Sequence, residues 1–118
     1  MPFESLVADY FDLDGHHYLV IADRLSGWPE IIQVKSGSKD SGAPALCKAL
    51  REFFARFGVP ADISTDGGPE FVAQVTQSFL QSWGVVHKLS SSYFPTSNGR
   101  AELAVKTAKR LLRDNVNS

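Results

Sequence analysis

Three carboxylates stand out in this sequence by where they fall. Asp9 lies between Ala8 and Tyr10 inside an apolar run, Asp66 is followed by two glycines and a proline, and Glu102 opens a segment of helical periodicity. A charged residue inside a short apolar strand is costly unless something offsets it. A divalent cation is the usual offset where several carboxylates converge. Phosphodiester chemistry needs a nucleophilic oxygen, a stabilised leaving oxygen and neutralised phosphoryl charge; two divalent ions roughly 3.5–4 Å apart supply all three. Hard oxygen ligands suit Mg²⁺ or Mn²⁺, and Mg²⁺ keeps several of its waters, so few protein carboxylates are enough. One aspartate can bridge both ions while the other aspartate and the glutamate each hold one. Taken singly, Asp66 reads as a turn former in Asp-Gly-Gly-Pro and Glu102 as favourable charge at a helix N-terminus. Only their convergence makes a site.

The elements that must bring them together are legible. Leu6 to Phe11 predicts a strand, and Asp14-Gly15 a tight hairpin turn. His17 to Ala22 holds a continuous apolar run suited to a strand buried on both faces. Ser26-Gly27 turns the chain into a third strand, Glu30 to Val34. A helix capped by Asp40 or Ser41 follows, with Leu46, Ala49, Leu50, Phe53, Phe54 and Phe57 on one face, and ends at Gly58 and Pro60. Ala61 to Thr65 is a short strand that delivers Asp66. A second helix turns Phe71, Val72, Val75, Phe79 and Leu80 inward and stops at Gly84. Val85 to Leu89 is a fifth strand. After a polar loop with an aromatic tip, Tyr93-Phe94-Pro95, a last helix capped by Ser97 or Asn98 runs to about Asn115. The order βββ-α-β-α-β-α implies an α/β fold, a mixed sheet with helices packed on it.

The 118 residues suit one domain, 1–118, with a single core. Composition is that of a globular chain, 43% hydrophobic and 21% charged. No transmembrane run or signal peptide is evident. The single cysteine, Cys47, fits a reducing compartment and reads as a buried structural thiol. A formal net charge of −1 argues against a protein that coats nucleic acid by bulk charge. It leaves room for a local basic surface.

Around each acid the local text resembles that of integrases of retroviruses and LTR retrotransposons, most closely the Ty3/Gypsy group. Val7-Ala8-Asp9-Tyr10-Phe11 and then Tyr18 to Trp28 look like the family's first-acid strand and hairpin. Ser64-Thr65-Asp66-Gly67-Gly68-Pro69-Glu70-Phe71 looks like its second-acid block, and Tyr93 to Glu102 like its active-site loop and third acid. The 35 residues between Asp66 and Glu102 resemble the D,D(35)E signature. The resemblance covers the chain from about Pro2 to the last helix. It implies a ribonuclease-H-like fold, with a five-stranded mixed sheet made of an antiparallel 1-2-3 meander and two parallel strands, flanked by helices. It also implies a polynucleotidyl transferase that trims the 3′ ends of element DNA with water and uses the new 3′ hydroxyls to attack a target duplex. Asp9, Asp66 and Glu102 would then be ligands of two Mg²⁺ or Mn²⁺ ions. The partners implied are double-stranded DNA, from element ends and target, and a second copy of the chain in a homodimer. The place of action implied is the host nucleus or a cytoplasmic particle, not the outside of the cell. The family's N-terminal zinc-binding and C-terminal DNA-binding domains have no counterpart here, so the chain reads as a catalytic core standing alone.

In the last helix, Glu102, Lys106, Lys109 and Arg113 fall within a stripe roughly 60° wide at about 100° per residue. Ala101, Ala104, Val105, Ala108, Leu111 and Leu112 are expected to face the core. A carboxylate sharing its stripe with three cations suits a helix lying along a phosphate backbone. Lys106 and Lys109 also match positions where the family contacts the ends of its own DNA, and Tyr93 and Asn98 are placed to touch terminal nucleotides. A plain solvated charged face, with Glu102 and Lys106 as an i, i+4 pair, is the alternative.

Other polar residues are set aside. His16 and His17 are strand neighbours whose side chains point oppositely, and no cysteine pair completes a zinc site with them or with His87. Asp23 ends the second strand inside a motif that resembles the family's, and the resemblance implies that it is not a primary ligand. Asp12, Asp14 and Asp62 read as loop and turn acids, Trp28 and Trp83 as core or interface aromatics. Three rival functions remain. One is a ribonuclease H or other nuclease of the same fold, another is a domesticated inactive core used for binding or dimerisation, and the third is a plain DNA-binding module. The net charge disfavours the last.

Overall fold

Apolar strands whose successive residues face opposite sides build the sheet. In the computed structural model, which describes residues 3–34, 42–89 and 99–116, β1 (Ser5–Leu13) pairs antiparallel with β2 (His16–Asp23). The turn between them is Asp14 and Gly15, at φ 52° and 78°. Two consecutive positive φ values are those of a type I′ turn, whose twist matches that of the hairpin. β3 (Pro29–Val34) pairs antiparallel with β2. After α1 (Ala43–Phe57), β4 (Asp62–Thr65) joins β1 in parallel. Two helices follow, α2 (Pro69–Val72) and α3 (Gln74–Ser82), then β5 (Val86–Leu89), parallel to β4, and α4 (Gly99–Val116). The sheet order is β3-β2-β1-β4-β5, so the meander and two parallel strands expected from the element order are present, with β1 in the middle.

Each face of the sheet has its own core. Leu6 and Ala8 of β1 and Leu19 and Ile21 of β2 pack with α1, Phe71 and Leu80 on one side. Val20 and Ala22, with Val7 and Phe11 against them, meet Ala101, Val105 and Ala108 of α4 on the other. The period of two therefore puts Asp9, between Val7 and Phe11 in alternation, on the α4 face. Along α1, Leu46, Leu50, Phe53 and Phe54 are buried at the expected spacing, each contributing about 1.5–3 kcal/mol. Cys47 is buried as expected, and burial pushes its thiol up in pKa.

Several expectations need correction. The second helix is two, because Ala73 is extended at φ −60° and ψ 146°. The helical carbonyls of Glu70 and Phe71 are taken by side chains instead, the Thr76 hydroxyl and the Gln77 amide. The break turns Val72 and Val75 outward, at 44% and 47% exposed. Helix α1 is capped by Gly42 at φ 72°, with Pro44 in its first turn; Asp40 and Ser41 lie outside the described residues. Asp12 is inside β1 opposite His17, whose ring nitrogen it binds, and Asp62 starts β4, where the Ser5 hydroxyl donates to it. Val85 is buried but precedes β5, and Leu111 is exposed, lining an open groove with Pro29 and Ile31 of β3. Trp28 is no core residue either: it is 61% exposed and donates its indole N–H to Glu30. Trp83 keeps one side on Phe54 and Phe79.

Candidate functional site

Asp9 and Asp66 come together through strand register. β1 and β4 pair in parallel with Ala8 opposite Thr65, so Asp9 and Asp66 are each the next residue along neighbouring strands, which lie about 4.8 Å apart. Asp9 points to the face that α4 covers, and Asp66 follows the last residue of β4. Asp66 is exposed, and its Oδ1 accepts the Gly68 N–H at 3.0 Å. A β-carbon at position 68 would stand 3.2 Å from that oxygen, so glycine keeps the carboxylate free of crowding.

Asp9 is half-buried, and its Oδ2 accepts a charge-assisted bond from Lys109 Nζ at 2.7 Å. The same ammonium sits 4.9 Å from the centre of the Phe11 ring. Lys109 can do this because it borders the buried stripe of Ala101, Val105 and Ala108, which lays α4 across β1 and β2. Lys106 and Arg113, of the same stripe, are exposed. Glu102 belongs to the first turn of α4, two helical turns or about 10 Å along the axis from Lys109; its side chain, like Tyr93 and Asn98, lies outside the described residues. Among the described residues no three His, Cys, Asp or Glu side chains gather as a metal cluster. The two aspartates nonetheless suit a hard divalent cation, since they offer carboxylate oxygens just past the last paired residues of neighbouring strands and one of them already holds a cation, the Lys109 ammonium.

Most of the acids and histidines set aside have structural partners. Asp23 is 2% exposed; it accepts the Phe3 N–H on Oδ1 and the Ser26 N–H and hydroxyl on Oδ2. Burial pushes its carboxyl up, but the hydrogen bonds from Ser26, Phe3 and Leu25 outweigh it and hold its pKa below the ordinary value. Asp23 therefore pins the corner after β2. Asp23→Asn is expected to cost about 1–2 kcal/mol, since the new amide turns a donor toward one of these donors. Urea denaturation measures this, and weakened Mn²⁺ binding at unchanged stability would place Asp23 in the site instead. His17 stacks on Tyr10, ring centres 5.8 Å apart, and His16 meets the Gln33 amide. His87 lies between Thr65 and Gln77. Sequence reasoning missed the Lys109–Asp9 pair and this His87 chain; the only signal was a lysine one place past a buried alanine.

The profile of the family described as "Integrase core domain" matches residues 1–95. The chain is 39% identical over 101 residues to the Pol polyprotein of Radiation murine leukemia virus (strain Kaplan), covering 85% of this chain and 17% of that protein. It is 38% identical over 100 residues to the Gag-Pol polyprotein of Koala retrovirus, covering 83% of this chain and 6% of that protein. It thus spans a small part of these relatives' length. Among solved structures, the catalytic core domain of BIV integrase superposes with a TM-score of 0.73 at 18% identity, covering 95% of this chain and 68% of that one. A chain of a simian T-cell lymphotropic virus intasome in complex with PP2A regulatory subunit B56 gamma superposes with a TM-score of 0.74 at 25% identity, covering 99% and 42%. The five-stranded mixed sheet with flanking helices is the ribonuclease-H-like fold of those cores.

Proposed function

Because the chain belongs to the integrase core domain family, we propose that it cuts and joins DNA strands by divalent-metal phosphoryl transfer, trimming 3′ ends and transferring them to a target duplex. The observation that carries this reading is the parallel register of β1 and β4, whose last pair, Ala8 and Thr65, is followed by Asp9 on one strand and Asp66 on the other, with Glu102 in the first turn of α4. These three would hold two Mg²⁺ or Mn²⁺ ions. When bound, such ions supply the activated oxygen and the charge neutralisation that the reaction needs. The protein's own part is to fix the carboxylates on the rigid centre of the sheet and to orient DNA. Lys106, Lys109 and Arg113 would hold phosphates along α4, and Tyr93 and Asn98 the terminal nucleotides. The partners are element and target duplexes, a second copy of the chain in a homodimer, and the place of action is the host nucleus or a cytoplasmic particle.

The test is a disintegration assay, in which strand transfer runs backwards on a branched DNA, beside an RNA–DNA hybrid. Joining that requires Mg²⁺ or Mn²⁺, stops with EDTA and leaves the hybrid intact is the expected result. Hybrid cleavage without joining would mark a ribonuclease-H-type nuclease. Dimerisation or DNA binding with no chemistry would mark an inactive binding core.

A further inference from the structure

The loop that presents Asp66 is closed underneath by a chain of hydrogen bonds whose direction can be worked out atom by atom. The Phe71 carbonyl can only accept, so the Gln77 amide must turn its nitrogen toward it, at 2.8 Å. The second hydrogen of that nitrogen points to His87 Nδ1, also at 2.8 Å. Nδ1 therefore accepts, and the ring hydrogen sits on Nε2, which donates to Thr65 Oγ1 at 2.7 Å. The Thr65 hydroxyl passes its own hydrogen to the carbonyl of Asp66 at 2.9 Å. Each hydrogen named here has its acceptor, and each link fixes the next.

This chain joins the two ends of one loop. Thr65 and Asp66 stand at its start and Phe71 at its finish, while Gln77 of α3 and His87 of β5 lie between them. Thr65 is 1% exposed, and the Phe71 ring lies 6.4 Å from the His87 ring. Burial lowers the pKa of His87 and so favours the neutral ring that the chain requires. The extended break at Ala73 belongs to the same device, because it leaves the Phe71 carbonyl free of a helical partner and open to Gln77.

We propose that His87 is a positioning residue, which, through Thr65 and Gln77, clamps both ends of the 66–71 segment, the turn after β4 and the start of α2, and so sets the aim of the Asp66 carboxylate. The part of this concerning metal rests on the function proposed above. Partners behind a ligand of this kind typically change metal affinity or activity by about 10–100-fold when removed. Thr65→Val keeps the shape and removes the hydroxyl, Thr65→Ser restores it, and His87→Phe keeps a ring without nitrogens.

Two measurements on the 118-residue chain decide the matter. The first is hydrogen exchange of the Gly68 amide, which reports loop closure without any metal. The second is Mn²⁺ binding by calorimetry. In Thr65→Val and His87→Phe the Gly68 amide is expected to exchange about tenfold faster and Mn²⁺ to bind about tenfold more weakly, with Thr65→Ser near wild type in both. Unchanged exchange in Thr65→Val, or equal damage from Thr65→Ser, would overturn the clamp, the latter by pointing to packing. If His87→Phe fails to fold, the threonine pair still decides. A wild-type chain that binds no Mn²⁺ would sink the functional reading, while Gly68 exchange would still judge the clamp.

Discussion

Asp66→Asn is expected to slow DNA joining by about 10³-fold, roughly 4 kcal/mol of transition-state stabilisation, while the protein melts within a few degrees of wild type. The two outcomes separate because of how Asp66 is held. Its carboxylate is exposed, and among the described residues its one hydrogen bond is Oδ1 accepting the Gly68 N–H. An asparagine oxygen can take over that bond, so the loop keeps its shape and only the charge is lost. A neutral amide is a far poorer ligand for a hard divalent ion than a carboxylate, so Mn²⁺ affinity should fall together with the rate. Asp9→Asn should cost as much activity but also about 1 kcal/mol of stability, because it leaves the half-buried Lys109 ammonium without its counter-charge. Thermal melting, Mn²⁺ calorimetry and disintegration rates on the three proteins check both statements. Full activity in Asp66→Asn would remove the carboxylate site altogether.

Much of this was readable in the sequence because it depends on local pattern. Asp9 stands out since alternation is strict around it: Leu6 and Ala8 go to one core, Val7 and Phe11 to the other. Asp66 stands out since Thr65 ends an apolar run and Gly67-Gly68-Pro69 cannot extend it. The hairpin at Asp14-Gly15 and the stops at Gly58 and Gly84 follow from the ease with which glycine takes positive φ. What stayed hidden depends on partners far away in the chain. Ala73 is a good helix former, and only the Thr76 and Gln77 side chains, by capturing the Glu70 and Phe71 carbonyls, make the break affordable. A period of 3.6 runs straight through it and turns Val72 and Val75 inward, whereas both are exposed. The bond from Lys109 to Asp9 spans 100 residues, and no spacing rule reaches that far. The same holds for His87, whose meaning comes from Thr65 on the next strand.

Lys109→Met is expected to move two properties in opposite directions: divalent ions should bind about fivefold more tightly, and DNA joining should slow about tenfold. Methionine keeps the length and the apolar contact with Phe11 but has no charge. In the wild type the ammonium sits at 2.7 Å on Asp9 Oδ2, an oxygen proposed to hold metal, so a cation arriving there must displace it. Bare Coulomb attraction at this range amounts to several kcal/mol even at an effective dielectric of about 20. Partial exposure and the cost of ordering a long side chain bring the net worth down to about 1 kcal/mol, hence the fivefold. On the DNA side, a displaced Lys109 remains on the face of α4 that carries Lys106 and Arg113, where a phosphate is its natural counter-ion. Its loss should lower the salt dependence of DNA binding by about one counter-ion. Calorimetry with Mn²⁺ and a salt titration of DNA binding read the two effects separately. Metal and DNA affinity falling together would mean that Lys109 serves only to hold Asp9 in place. Opposite changes would mean that one ammonium alternates between carboxylate and phosphate, so that filling the metal site frees a cation for the substrate.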